Sequence, residues 1–310
     1  MSALDAHVTD YLRLRRALGF KLVWPGHVLP QFVAWLDAAG AETITVEAAI
    51  TWARLSEGAH PITLSHRLGA VRGFARYLHT IDPATEIPPS GVFGGQQRPA
   101  PYVYSAEEIG RLLQAARQLR PPLRAATYEA LFGLLAASGL RVGEAIRLVR
   151  DDVDFVNGLV TIRHAKFDRD RLVPLHPSTS DALRGYATRR DRLCPRPRTD
   201  TFFLTSVGTA LQHSPVHATF LTLSGSAGLP MATAGRPRIH DLRHSFAVNT
   251  LIDWQRDGVD IASRLPVLST YLGHVNPAST YWYLSAVPQL MQLAAARLDN
   301  RSTRTRGAGS

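Results

Sequence analysis

The chain has 310 residues, enough for two domains of ordinary size, and with 45% hydrophobic and 19% charged residues it reads as a folded protein, not a disordered one. It contains no apolar run of about 18 residues, its opening MSALDAHVTDY lacks the regions of a secretory signal, and its single cysteine, Cys194, cannot form an internal disulfide. These features argue against a membrane protein and for a reducing cytoplasm, while a formal charge of +10 asks for an anionic partner, nucleic acid first.

In chain order, residues 4–18 carry apolar positions at helical spacing and end at Gly19, and a second helix over 27–39 ends at Gly40. Thr45 suits the N-cap of a third. The fourth, over 62–80, aligns Leu64, Leu68, Val71, Ala75 and Leu78 on one stripe. Arg72 and Arg76 lie one turn apart and off that stripe, where they could meet phosphate. Residues 1–87 are thus a helical domain, and 88–103, within the Pro- and Gly-rich stretch PATEIPPSGVFGGQQRPAPYV, are its linker.

A second domain over 104–298 opens with the capping box Ser105-Ala106-Glu107-Glu108 and stays helical to about 148. Residues 153–175 switch to strand character in DVDF, GLVTIRHA and RLVPL, with FDRD as a hairpin turn, and TFFLT at 201–205 is a further strand or buried extended segment. From Ser214-Pro215 the pattern is helical to about 297, and 299–310 form a flexible basic tail. The expected fold is therefore mostly α with a small antiparallel sheet.

The basic residues are unevenly typed and placed. Residues 1–100 hold nine basic and eight acidic side chains, so the excess lies beyond them. Lys21 and Lys166 are the only lysines among 35 basic residues. In so arginine-rich a chain a lysine answers a chemical demand, because it can release a proton where arginine cannot.

Four segments carry candidate chemistry. ASGLRVGEAIRL at 137–148 places Arg141 near a helix start, after a turn at Gly139, where free backbone N–H groups favour a phosphate. HAKFDRDRLVPL puts Lys166 beside a hairpin turn. HDLRHSFAVNTL at 240–251 sets His240 and Arg243 three apart on one helical face. LSTYLGHVNPASTYWYL at 268–284 has Tyr283 nine residues after His274. Two metal readings compete. His240 and His244, spaced i and i+4, resemble half of a zinc motif, but Asp241 stands where its glutamate would, Arg243 adds a fixed cation, and His244 reads as structural. Asp151, Asp152 and Asp154 could suggest Mg²⁺, although their place between helix and strand favours a connecting turn.

Together the four segments resemble the tyrosine recombinases, or phage-type integrases: an arginine in a GLRxxE context, a hairpin lysine, an H-x-x-R pair, an L-G-H, and a tyrosine nine residues on, all in order across 105–295. The resemblance implies a catalytic set of Arg141, Lys166, His240, Arg243, His274 and Tyr283, with no metal or cofactor. It implies a helical core-binding domain and a catalytic domain that clamp double-stranded DNA in a C shape, and strand exchange through a 3′-phosphotyrosine. Donors on the non-bridging oxygens would stabilise the transition state, His240 is the first candidate for base, and Lys166 would protonate the leaving 5′ oxygen. Residues 286–297, AVPQLMQLAAAR, would form a helix that docks on a neighbour in a homotetramer. His274 follows Arg243 by 31 positions, a longer interval that resembles the subgroup carried on transposons and other mobile elements. A type IB topoisomerase-like nick-closer and a catalytically silent DNA-binding regulator are the alternatives.

Overall fold

The computed structural model describes residues 2–56, 58–94, 101–163, 170–231, 235–274, 276 and 278–286. Two compact units divide the chain, Met1–Arg98 and Pro99–Ser310.

The first unit is built from α1 (Ala3–Ala17), α2 (Val23–Ala38), α3 (Val46–Arg54) and α4 (Pro61–Leu78). Thr45 caps α3 by accepting the Ala48 N–H, as its hydroxyl suggested, and Ser2 caps α1 through the Asp5 N–H. Helix α2 starts four residues earlier than its periodicity suggests. Leu22 turns the chain in the left-handed region at φ 40° and its carbonyl receives the Gly26 N–H, so the first turn forms ahead of the apolar stripe. Phe32 and Trp52 pack edge to face at 5.0 Å in a core shared with Leu29, Leu36, Val71 and Phe74. Arg76 is exposed, whereas Arg72 donates from Nε and Nη2 to the carbonyls of Pro88 and Pro89, each at 2.8 Å. Arg72 therefore ties α4 to the segment that follows it, and those two N–H groups are not turned outward to a phosphate.

The second unit opens with α5 (Ala106–Arg117), started by the full Ser105–Glu108 capping box, and α6 (Pro122–Ser138). Helix α6 is apolar on most sides, because α5 and α8 (Pro177–Leu193) pack on it together with α10 (Asp241–Arg256), and its polar Arg124 and Glu129 are partly exposed. Helicity does not run unbroken to 148. Gly139 ends α6 with φ 61°, and the four-residue turn α7 (Val142–Ala145) follows. A three-stranded antiparallel sheet then forms from β1 (Val153–Asp154), β2 (Leu159–Ile162) and β3 (Arg171–Pro174) in that order. In its register Val160 faces Val173 and Ile162 faces Arg171, with Val160, Ile162 and Val173 buried. Phe202, Phe203 and Leu204 are fully buried, but the expected strand is interrupted: Phe202 and Phe203 form a bend between isolated bridges from Thr201 to Val149 and from Leu204 to Ala210.

Beyond α9 (His213–Ser226) the chain is less continuously helical than its pattern suggests. Residues 229–231 and 235–239 are non-helical, and separate helices follow: α10, α11 (Ile261–Leu272) and α12 (Ala278–Ala286). The last three share a core of Ala247, Val248, Leu251, Leu265, Leu268, Leu272 and Tyr283. The architecture is thus mostly helical with one small antiparallel sheet. The proposed docking helix at 286–297 and the basic tail lie outside the described residues, apart from Ala286 at the end of α12. No helix among the described residues is long and apolar enough to cross a membrane.

Candidate active site

The carboxyl end of α11 is the focus of the second unit. A helix leaves its last carbonyls without intrahelical partners and with partial negative charge, so cations collect there. Three guanidinium groups do so here. Arg243 donates from Nη2 to the Leu272 carbonyl at 2.6 Å, Arg141 from Nη2 to Gly273 at 3.1 Å, and Arg171 from Nε to Tyr271 at 3.2 Å. Gly273 takes the left-handed conformation at φ 66° and closes the helix, and His274 follows at once.

Arg243 also donates from Nη1 to the Gly139 carbonyl at 2.6 Å, so one side chain joins the ends of α6 and α11. It is only 2% exposed. Burial, then the nearby charge of Arg141, lowers its pKa to about 10, which still leaves it protonated at neutral pH. Its helix is held from behind. Asp241, fully buried at the start of α10, receives the Arg238 side chain at 2.8 and 3.0 Å, and Ser245 joins the Tyr104 N–H to the Asp241 carbonyl.

Arg141 is the N-cap of α7, but the helix start is not free for an anion: the Arg141 N–H donates to Glu144 Oε2 at 2.9 Å, and the Arg141 guanidinium meets Oε1 at 2.8 Å. The expected phosphate site on open backbone N–H groups is therefore replaced by an internal carboxylate. Arg171 grips the same carboxylate with both Nη atoms, at 3.1 and 2.9 Å. Burial would push the Glu144 carboxyl up; the hydrogen bonds and charge of Arg171, joined by Arg141, outweigh it and hold the pKa at about 2. Of the two arginines on Glu144, Arg141 keeps the larger exposure, 34% of its side chain against 12% for Arg171.

Tyr283 projects from α12 into this cluster and is 0% exposed, whereas Tyr281 is 50% exposed. Its hydroxyl lies 2.7 Å from Nδ1 of His244, and its ring stacks at 6.4 Å on His274, whose own Nδ1 meets Thr280 Oγ1 at 2.8 Å. His240, the N-cap residue of α10, sets its ring near-perpendicular to that of His244 at 4.7 Å. His240 keeps a face open to solvent, yet close packing around the ring, then the charge of Arg243, lowers its pKa to about 4, so it is neutral at pH 7.

The structure thus brings Arg141, Arg243, His240, His274 and Tyr283 together; Lys166 lies outside the described residues. Sequence reasoning passed over Glu144 and Arg171 as site residues and read His244 as structural. Arg171 had a readable signal: it is two residues from buried Val173 in a strand, on the same face, where a cation needs a carboxylate partner. Glu144 stood inside the GLRxxE context, three residues from Arg141. His244 was marked locally only by its i, i+4 spacing from His240, which does not point to a partner 39 residues away. The acidic run serves the turn it was expected to serve. Asp152 accepts the Val149 N–H and Arg163 Nε, and Asp154 accepts the N–H groups of Val156 and Asn157. Among the described residues no three His, Cys, Asp or Glu side chains are grouped as a metal site.

The phage integrase family model matches residues 103–289, more than half of the chain. The chain belongs to that family. The protein named integrase/recombinase y4rB from Sinorhizobium fredii is 46% identical, covering 97% of this chain and 98% of its own length. Tyrosine recombinase XerD of Brucella suis is 29% identical over 74% of this chain and 73% of its own. Among solved structures, the Tn1549 transposon integrase in complex with transposon right end DNA superposes with a TM-score of 0.69, at 15% identity, covering 96% of this chain and 100% of that one. The chain is a tyrosine recombinase, an enzyme of DNA strand transfer.

Proposed function

We propose that this recombinase breaks and rejoins double-stranded DNA at a specific site through a 3′-phosphotyrosine on Tyr283. The supporting observation is the convergence of Arg141, Arg243 and His274 on one helix end, with the Tyr283 hydroxyl among imidazoles of the same cluster. Attack on a phosphodiester builds negative charge on its non-bridging oxygens, and preorganised cations in a water-poor site stabilise it. Arg141, the more exposed fork, and remaining donors of Arg243 would receive those oxygens, with His274 and His240 as further donors. Lys166 would protonate the leaving 5′ oxygen. The phosphotyrosine keeps the bond energy, so a 5′-hydroxyl from a second strand reverses the attack without ATP.

Arg76, exposed on α4, would add a backbone phosphate contact, and Arg72, with Nε and Nη2 given to Pro88 and Pro89, would contribute only its remaining N–H groups. Solved neighbours include a lambda integrase tetramer bound to a Holliday junction, which supports a homotetramer on DNA, joined through residues 286–297. The transposon integrase neighbour favours movement of a mobile element, and the compartment would be a prokaryotic cytoplasm, with the nucleoid.

A duplex nicked next to the cleavage position traps the covalent complex. Tyr283→Phe abolishes the trapped adduct and Tyr281→Phe retains it; the reverse pattern overturns the assignment. Joining of the trapped strand to a second duplex separates a recombinase from a nick-closing enzyme.

A further inference from the structure

We propose that His244, through Nδ1, takes the phenolic proton of Tyr283 as that oxygen attacks the phosphate. This role rests on Tyr283 being the nucleophile.

The geometry that carries it is direct. Nδ1 and the phenolic oxygen are 2.7 Å apart, within the range in which a general base abstracts a proton without an intervening water. Both residues are buried, His244 at 4% exposure, so bulk water does not compete for the proton. Trp282 closes another side, its ring 5.7 Å from that of His244 and 5.3 Å from that of Tyr283. A phenol with an ordinary pKa near 10 is a poor nucleophile at neutral pH, and an imidazole in contact removes that barrier. His244 also follows Arg243 in the chain, so the element that fixes the cation of the phosphate site fixes the base as well. His240, one turn earlier, lies against the His244 ring at 4.7 Å and closes a further side of it.

The phenolic O–H bond breaks and its proton moves to Nδ1 of a His244 that carries its other hydrogen on Nε2. The freed electron pair forms the bond from the tyrosine oxygen to phosphorus, the bond from phosphorus to the 5′ oxygen breaks, and that oxygen takes a proton from the acid on the leaving side. In the reverse reaction the imidazolium returns its proton to the departing phenolate.

The test uses the full chain on the nicked duplex at pH 7. His244→Asn can still hydrogen bond from the same position but accepts no proton. Adduct formation is expected to slow by about 100-fold, with DNA binding in a gel shift unchanged. Replacing Tyr283 in that variant by 3,5-difluorotyrosine, a phenol acidic enough to ionise without help, restores most of the rate. A purely structural histidine predicts no such rescue, and either absence of rescue or a wild-type rate in His244→Asn overturns the proposal. Should His244→Asn fail to fold, the otherwise native chain is tested on a duplex whose leaving 5′ oxygen is replaced by sulfur, which departs without a proton: the solvent deuterium isotope effect on adduct formation seen with tyrosine disappears with difluorotyrosine if the phenolic proton is taken by a base, and its persistence overturns the proposal. Adduct formation by Tyr283→Phe would remove the nucleophile and the base together, whereas a full rate in His244→Asn with none in Tyr283→Phe removes the base alone.

Discussion

The two units solve the problem of a core in different ways. Among the described residues of the first, Thr85 is the one buried polar side chain, and helices α1 to α4 close on aliphatic and aromatic groups. The second buries Glu144, Asp152, Arg190, Asp241, Arg243 and His244 beside a larger apolar core. Charge inside a protein is costly unless it is paired, and apolar groups of similar volume often hold a fold together as well or better. The difference therefore separates a unit whose interior is almost wholly apolar from one whose interior also holds paired charges around the candidate site.

The largest expected effect is at Arg243. Arg243→Ala leaves the Gly139 and Leu272 carbonyls without their donor in a buried place, which should cost about 4 kcal/mol in urea unfolding and abolish the trapped DNA adduct. Next comes Glu144→Gln, which removes the anion between Arg141 and Arg171. A carboxyl held at about 2 instead of its ordinary 4.5 contributes roughly 3 kcal/mol near pH 7. Because the folded pKa is lowered, that stability is complete above about pH 4.5 and drains away as pH falls toward 2. Unfolding midpoints of native and Gln proteins should accordingly converge on acidification. The smallest effect is in the first unit: Arg72→Ala removes two hydrogen bonds to the carbonyls of Pro88 and Pro89 at a partly exposed site and should cost about 1 kcal/mol, independent of pH between 3 and 7. An Arg72→Ala loss larger than that of Glu144→Gln would break the contrast between the units.

Local rules were legible where the chemistry is local. The Thr45 and Ser105 caps act within three residues, and both form as read. The grouping of Arg141, Arg243 and His274 was legible for another reason, because the order and spacing of several motifs constrained it jointly. What escaped was partnership across the chain. Arg72 offered an exposed-looking guanidinium on α4, and its carbonyl partners lie 16 and 17 residues further on. Arg171 sits in a run of charged residues that resembles a solvated hairpin, while its carboxylate is 27 residues earlier and its carbonyl partner 100 residues later. His244 read as a structural helix residue until α12 brought the phenol to it. Start positions failed where backbone geometry, not pattern, decided them, as with left-handed Leu22 ahead of α2.

Gly273, in the middle of L-G-H, answers two demands at once. Its backbone conformation disfavours any side chain, and a methyl group placed there would fall 2.8 Å from Nη1 and 2.9 Å from Cζ of Arg171. The vacant volume at that glycine is thus the slot through which a strand arginine reaches the end of α11. A lineage that enlarged residue 273 would have to move the Arg171 guanidinium off its partners, so a change at 273 depends on a position about a hundred residues earlier in the chain, while Arg171 can change with Gly273 kept.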